Sequence, residues 1–163
     1  MSACTWTLLI ATFLNALMAG FLFAFAVVVM PGIRNLNDRD YLRSFQAMDR
    51  VIQKGQPLFM AMWLGSTVTL IAAAVFAMMQ LDGTERVLVV AAALASIFLV
   101  QLPTMTINIP LNNNVQALDC DSLNDAAASQ AREAFEMRWN RWNVIRTVVS
   151  CAILAMLLAC LAI

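Results

Sequence analysis

Four long apolar runs constrain this chain more than any other feature. They cover about residues 6–30, 57–80, 87–109 and 143–163. A helix that crosses a bilayer needs roughly 20 such residues. Of the 163 residues, 62% are hydrophobic and only 12% are charged, where a soluble domain carries about 25% charged residues. The expected fold is all-α: an integral membrane four-helix bundle with cytoplasmic helical extensions, one domain over 1–163. The first run lacks a basic leader and is too long for a signal segment, so it is read as a retained helix.

The charges predict the sidedness. Arg34, Arg39, Arg43, Arg50 and Lys54 fall in the first connection, and Arg132, Arg138, Arg141 and Arg146 in or beside the third. Only Arg86 is on the other side. The positive-inside rule places both connections in the cytoplasm and both termini outside, in the periplasm if the membrane is the bacterial inner membrane that this size favours. Net charge is zero, which gives no footing for nucleic acid. There is no histidine, so the usual ligand for zinc, copper, haem and non-haem iron is missing. The four cysteines show no CxxC spacing.

The first and third connections also have helical patterning. Tyr41, Leu42, Phe45, Met48, Val51 and Ile52 recur at a period near 3.6, an amphipathic helix with Asp38 or Asp40 as its cap. The segment "DSLNDAAASQAREAFEMRWNRWNVIR" reads as a helix capped by Asp121 or Ser122 that runs straight into the fourth span. Small residues at Ala16, Gly20 and Ala24, and at Ala61, Gly65, Thr69 and Ala73, have the spacing of close helix contacts in lipid. Asn15 reads as glue between helices.

Polar residues gather at one end of the bundle. The third span changes character at Gln101 and continues "LPTMTINIPLNNNVQ". Pro103 should kink the helix and Pro110 should end it. The fourth span opens with "RWNRWNVIR", in which Trp139, Asn143 and Arg146 share a face. The first span leaves with "VMPGI". Three helix ends thus bring amides, indoles and a guanidinium to one mouth. An ordinary wet membrane interface, with Arg146 snorkelling outward, is the alternative for these residues.

"GFLFAFAVVVMPGI", "PLFMAMWLGS", "TINIPLNNNV" and "RWNRWNVIRT" together resemble, in order, the four signatures of the anthrone oxygenase-like family of small four-helix membrane proteins. The resemblance spans Gly20 to Thr147. It implies an oxygenase that acts on a hydrophobic phenolic, anthrone-like molecule with no cofactor and no metal. It marks Asn108, Pro110, Leu111, Asn112, Trp142, Asn143 and Arg146, with Met30, Pro31 and Gly32. In that chemistry Asn108, Asn112, Asn143 and Arg146 suit the developing oxyanions. Trp139 and Trp142 suit a flat ring, and Met30, Pro31 and Pro110 would border the substrate. A proton acceptor is also needed, and Asp49, Glu133 and Glu136 are the candidates. The rival functions are a non-catalytic membrane protein binding a lipid or quinone, and one that packs against a membrane partner. The expected partners are a hydrophobic small molecule and the bilayer, without nucleic acid.

Overall fold

Each apolar run becomes a helix, and three of the four helices overshoot the run. The computed structural model describes residues 2–163. It contains α1 (Ala3–Ile33), α2 (Asp38–Gln53), and α3 (Pro57–Gln80), α4 (Gly83–Gln116) and α5 (Asp125–Ala162). No strand occurs among the described residues. α1, α3, α4 and α5 are long and apolar enough to cross a membrane. α5, with 38 residues, is about 57 Å long, against roughly 30 Å of hydrocarbon. Its amino-terminal part therefore projects, as do the carboxy-terminal turns of α4.

The four long helices form a ring. α1 packs against α3 and α5, and α4 packs against the same two, leaving α1 and α4 on a diagonal. α2 lies across one end, on α5 and the last turns of α4. The opposite end carries the α3–α4 turn and the end of α5, where Cys160 Sγ is 3.9 Å from the Glu85 carbonyl oxygen. All four cysteines are free thiols.

Two apolar cores result. Leu8, Ala11, Leu70, Val89, Ile153 and Leu157 fill the bundle toward the Cys160 end. Tyr41, Leu42, Phe45, Leu111, Phe135 and Trp139 fill the cap under α2. α2 is pinned at its start by Arg132 of α5. That guanidinium pairs with Glu136 and Asp38, donates to the carbonyls of Arg34 and Leu36, and lies over the Tyr41 ring.

The expectation for Pro110 needs correction. Pro110 does not end its helix, because Ile109–Gln116 stays helical. Three prolines sit inside long helices, and each follows a widened π turn: Phe25–Val29 before Pro31, Ser96–Gln101 before Pro103, and Thr104–Asn108 before Pro110. The residue ending each turn donates five back: Met30 to Phe25, Leu102 to Ile97, Ile109 to Thr104. A proline lacks the N–H for the carbonyl four residues back, and its ring crowds that carbonyl. One extra residue in the turn removes the crowding, so the helix continues.

Details of α2 and of the small-residue rows also differ. Asn37 caps α2 and Asn124 caps α5, each accepting from a backbone N–H three residues on, in place of Asp38 or Asp40 and of Asp121 or Ser122. The buried face of α2 is Tyr41, Leu42, Phe45, Gln46 and Asp49, while Val51 is 54% exposed. Two polar residues are buried there because α4 offers them partners. Gln46 Nε2 donates to the carbonyls of Val115 and Leu118 at 2.7 and 2.9 Å. Gly20, Ala24 and Ala61 face outward. Gly65 does make a close contact, since a Cβ there would lie 3.0 Å from Leu14 Cδ1. Asn15 ties α1 to α3 by donating to the Ser66 carbonyl at 3.4 Å.

Replacing Gln46 by Leu should remove the two hydrogen bonds that tie α2 to the carbonyls of Val115 and Leu118 and loosen α2, at a cost of about 1–3 kcal/mol. Hydrogen exchange should then accelerate in residues 113–118 while the bundle core stays protected. Unchanged exchange there would contradict this role.

Candidate functional site

Between the two cores lies a cavity of about 230 Å³ to which all five helices contribute. α1 supplies Met18, Phe21 and Phe25, and α3 supplies Phe59, Met60 and Trp63. Phe45 of α2 and Trp139 of α5 meet edge to face at its cap side, ring centroids 5.4 Å apart. The walls are mostly apolar with a few converging polar groups, the usual character of a small-molecule site. The volume is below the roughly 300–1,000 Å³ usual for such sites, so only a compact ligand would fit without movement of the walls.

Arg146 of α5 is the first of the polar groups. It is 6% exposed, so it does not snorkel. Nη1 donates to Thr104 Oγ1 at 2.8 Å, and Nη2 to Asn143 Oδ1 at 3.2 Å. Nε has no partner. Among the described residues no carboxylate lies within ion-pair distance of it. A buried cation without an anion is costly. This one is held in place nonetheless: Thr104 donates onward to the Val100 carbonyl at 2.6 Å, and Asn143 to the Leu22 carbonyl at 3.3 Å.

Asp49 of α2 is the second group, and among the described residues the only acid lining the cavity. It is 4% exposed. Oδ1 accepts from Asn112 at 2.8 Å, and Oδ2 from Gln53 and Gln116 at 2.7 and 2.9 Å. Burial pushes its pKa above the ordinary carboxylate value, and the three amides pull it back only in part. Asn112 in turn accepts from Trp139 Nε1 at 2.7 Å. One amide thus orients both the carboxylate and the indole.

Asn108 is the third, 2% exposed. Its Nδ2 reaches the Trp139 carbonyl at 3.5 Å, and its Oδ1 is unpartnered.

The structure therefore brings Asn108, Asn112, Asn143, Arg146 and Trp139 to one cavity. The other sequence-marked residues lie elsewhere. Trp142 is half-buried and lines neither cavity, and Pro110 is exposed on the outside of α4. Met30 and Pro31 line a second cavity between α1 and α5, together with Glu133, Glu136 and Arg132. Asn143 borders both cavities. Of the candidate bases, Glu136 is taken by Arg132, Glu133 is on the surface, and Asp49 is in the cavity.

Gln53, Gln116 and Thr104 escape the sequence reading. Their signal was weak: Gln46, Asp49 and Gln53 sit at helical spacing within an otherwise apolar face, which marks a polar seam rather than a wet side. Among the described residues no three Cys, Asp or Glu side chains gather in a way that could hold a metal.

The family model for anthrone oxygenases matches residues 48–156, more than half of the chain. This chain belongs to the anthrone oxygenase family. No curated protein and no solved structure matches it significantly. The family match takes in Asp49, Asn108, Asn112, Trp139 and Arg146. It begins after α1, which still furnishes a wall of the cavity in this anthrone oxygenase family member.

The bond from Trp139 to Asn112 predicts coupling between the two. In a double-mutant cycle, Trp139→Phe and Asn112→Ala should each lower thermal stability in detergent. The double mutant should lose less than the sum, by about 1 kcal/mol. Strict additivity would mean the contact contributes nothing.

Proposed function

We propose that this protein is a membrane-embedded oxygenase that converts a hydrophobic phenolic ring ketone of the anthrone type into the corresponding quinone, using molecular oxygen and neither metal nor flavin. The supporting observation is one apolar cavity that contains both a buried carboxylate of raised pKa and a buried guanidinium with no anion of its own. Family membership adds to it.

The substrate supplies the reactivity. A carbon flanked by two aryl rings and conjugated to a carbonyl gives up a proton to a modest base. A base is most useful when its pKa is nearer neutrality than a free carboxylate's. Asp49 takes that proton. The carbanion spreads onto the ring oxygens, where Arg146 stabilises the negative charge, a contribution that grows in a site without water. The electron-rich ring passes one electron to dioxygen, and the two radicals join in a C–O bond. Asp49 returns its proton to the peroxide and then takes the second proton from the same carbon as the O–O bond breaks. It passes that proton to the departing hydroxide. The net change turns one CH2 into a carbonyl, consumes one dioxygen and releases one water. Asn112 holds Asp49 and Trp139, Thr104 and Asn143 hold Arg146, and Phe21, Phe45 and Trp139 flank the ring.

In this reading the substrate arrives from the bilayer. The α2 end faces the cytoplasm of a bacterial inner membrane, in keeping with the excess of Lys and Arg there.

The test is oxygen uptake by purified protein in detergent with emodin anthrone, less the uncatalysed rate. Saturable uptake is expected. Asp49→Asn should lower it about 10²-fold or more, and Arg146→Met about 10²–10³-fold. Because the basic form of Asp49 is the active one, kcat/KM should fall as pH drops through a value above the ordinary carboxylate pKa of about 4. That acid limb should vanish in Asp49→Asn. Uptake that never exceeds background, or variants as active as the wild type, would refute the proposal.

A further inference from the structure

The second cavity is an open groove of about 820 Å³ on the seam between α1 and α5. It exists because the two helices part. α5 packs against α1 over Ala3–Val29, and the final turn of α1, Met30–Ile33, has little packing on it. The walls are graded along the seam. Ala26, Met30 and Arg34 follow at intervals of four on α1, so they share one face and span about 12 Å. α5 runs the other way, with Val144 toward the Ala26 end and Glu133 toward the Arg34 end. Two bonds fix that alignment. Asn143 Nδ2 donates to the Leu22 carbonyl at 3.3 Å at the deep end, and Arg132 Nη2 to the Arg34 carbonyl at 2.7 Å at the other. Val144 is 50% and Met137 82% exposed, so the groove opens outward. It is apolar at its deep end and charged where the helices leave the apolar span.

Four charged side chains line that outer end: Arg34, Arg132, Glu133 and Glu136. Arg132 is already paired with Asp38 and Glu136. Among the described residues, Arg34 and Glu133 are in no ion pair. The groove thus offers one cation and one anion above an apolar trough. Its complement is an amphiphile with a zwitterionic head. A guanidinium suits a phosphate. A carboxylate accepts hydrogen bonds from a primary ammonium, which a quaternary ammonium cannot give. Quaternary heads are held by aromatic rings instead, and among the described residues no aromatic side chain lines this groove. An anionic head without an ammonium would set a like charge near Glu133.

We propose that this groove binds one phospholipid with a phosphoethanolamine head, its phosphate on Arg34 and its ammonium on Glu133. Asn140, two turns deeper than Glu133 on α5, lies on the same wall and meets the ester groups. Ala26, Met30 and Val144 take the start of an acyl chain. The site stands apart from the oxygenase reading, because neither Arg34 nor Glu133 lines the central cavity.

The experiment is native mass spectrometry of the full chain from detergent, titrated with dioleoyl phosphatidylethanolamine, phosphatidylcholine or phosphatidylglycerol, which share their chains. Wild type should bind one ethanolamine lipid saturably, about tenfold more tightly than either of the others. In Glu133→Ala the preference for ethanolamine over choline should fall to near one. Arg34→Gln should weaken the ethanolamine and choline lipids alike, because both lose the phosphate contact. Arg34 and Glu133 are exposed, so both variants should keep the melting temperature of the wild type, which shows that they are folded. Equal and unsaturated binding of the three lipids to wild type would mean ordinary bilayer contact only, and tightest binding of the glycerol lipid a plain basic patch. Either result overturns the proposal, as does an ethanolamine preference that survives in Glu133→Ala or an Arg34→Gln variant that binds like wild type.

Discussion

A guanidinium buried in a membrane bundle without a counter-ion is the constraint around which the rest of this structure is arranged. Arg146 is on the helix that runs the full height of the molecule, at the level where the apolar core gives way to the cap. Water would satisfy it at no cost, and lipid would not tolerate it. The fold does neither. It encloses the charge beside an alcohol and an amide, on the wall of the cavity. A cation so placed favours whatever brings electron density to it. It is stabilised more by a developing oxyanion than by a neutral ground state, the differential that catalysis requires.

The widened turns explain how the polar groups reach the cavity. Phe25 belongs to the π turn of α1, Gln101 ends the first π turn of α4, and Thr104 and Asn108 bound the second. Such turns shift the register of a helix locally and often mark functional sites. Here each also absorbs the misfit of the proline that follows. The same local feature keeps a proline inside a spanning helix and turns side chains inward that a regular helix would point elsewhere. α2 completes the arrangement. It brings the carboxylate from outside the span, so the acid is not carried through the hydrocarbon on a spanning helix.

The architecture was legible because long apolar runs admit few solutions in a membrane. The continuity of the third connection with the fourth span followed from its periodicity. The shared face of Trp139, Asn143 and Arg146 followed from helical spacing alone, and all three reach the cavity. What could not be read depended on contacts between distant segments. Pro110 looked like a terminator because a sequence does not announce the π turn that accommodates it. Trp142 looked equivalent to Trp139, and only the rotation of α5 within the ring of helices separates them. Met30 and Pro31 belong to another cavity for the same reason. Asp49 could not be told from Glu133 and Glu136. Its burial depends on Asn112 and Gln116, more than 60 residues away, so two of the three amide donors that make the buried carboxylate tolerable come from a different helix.

The most direct measurement is an experimental structure of the protein with emodin, the anthraquinone product of the proposed reaction, bound. The ring should lie in the central cavity, with an oxygen within hydrogen-bond distance of the Arg146 guanidinium and the carbon that was oxidised turned toward Asp49. Product lying instead in the cavity bordered by Met30 and Pro31, or a central cavity that stays empty at saturating product, would contradict the account.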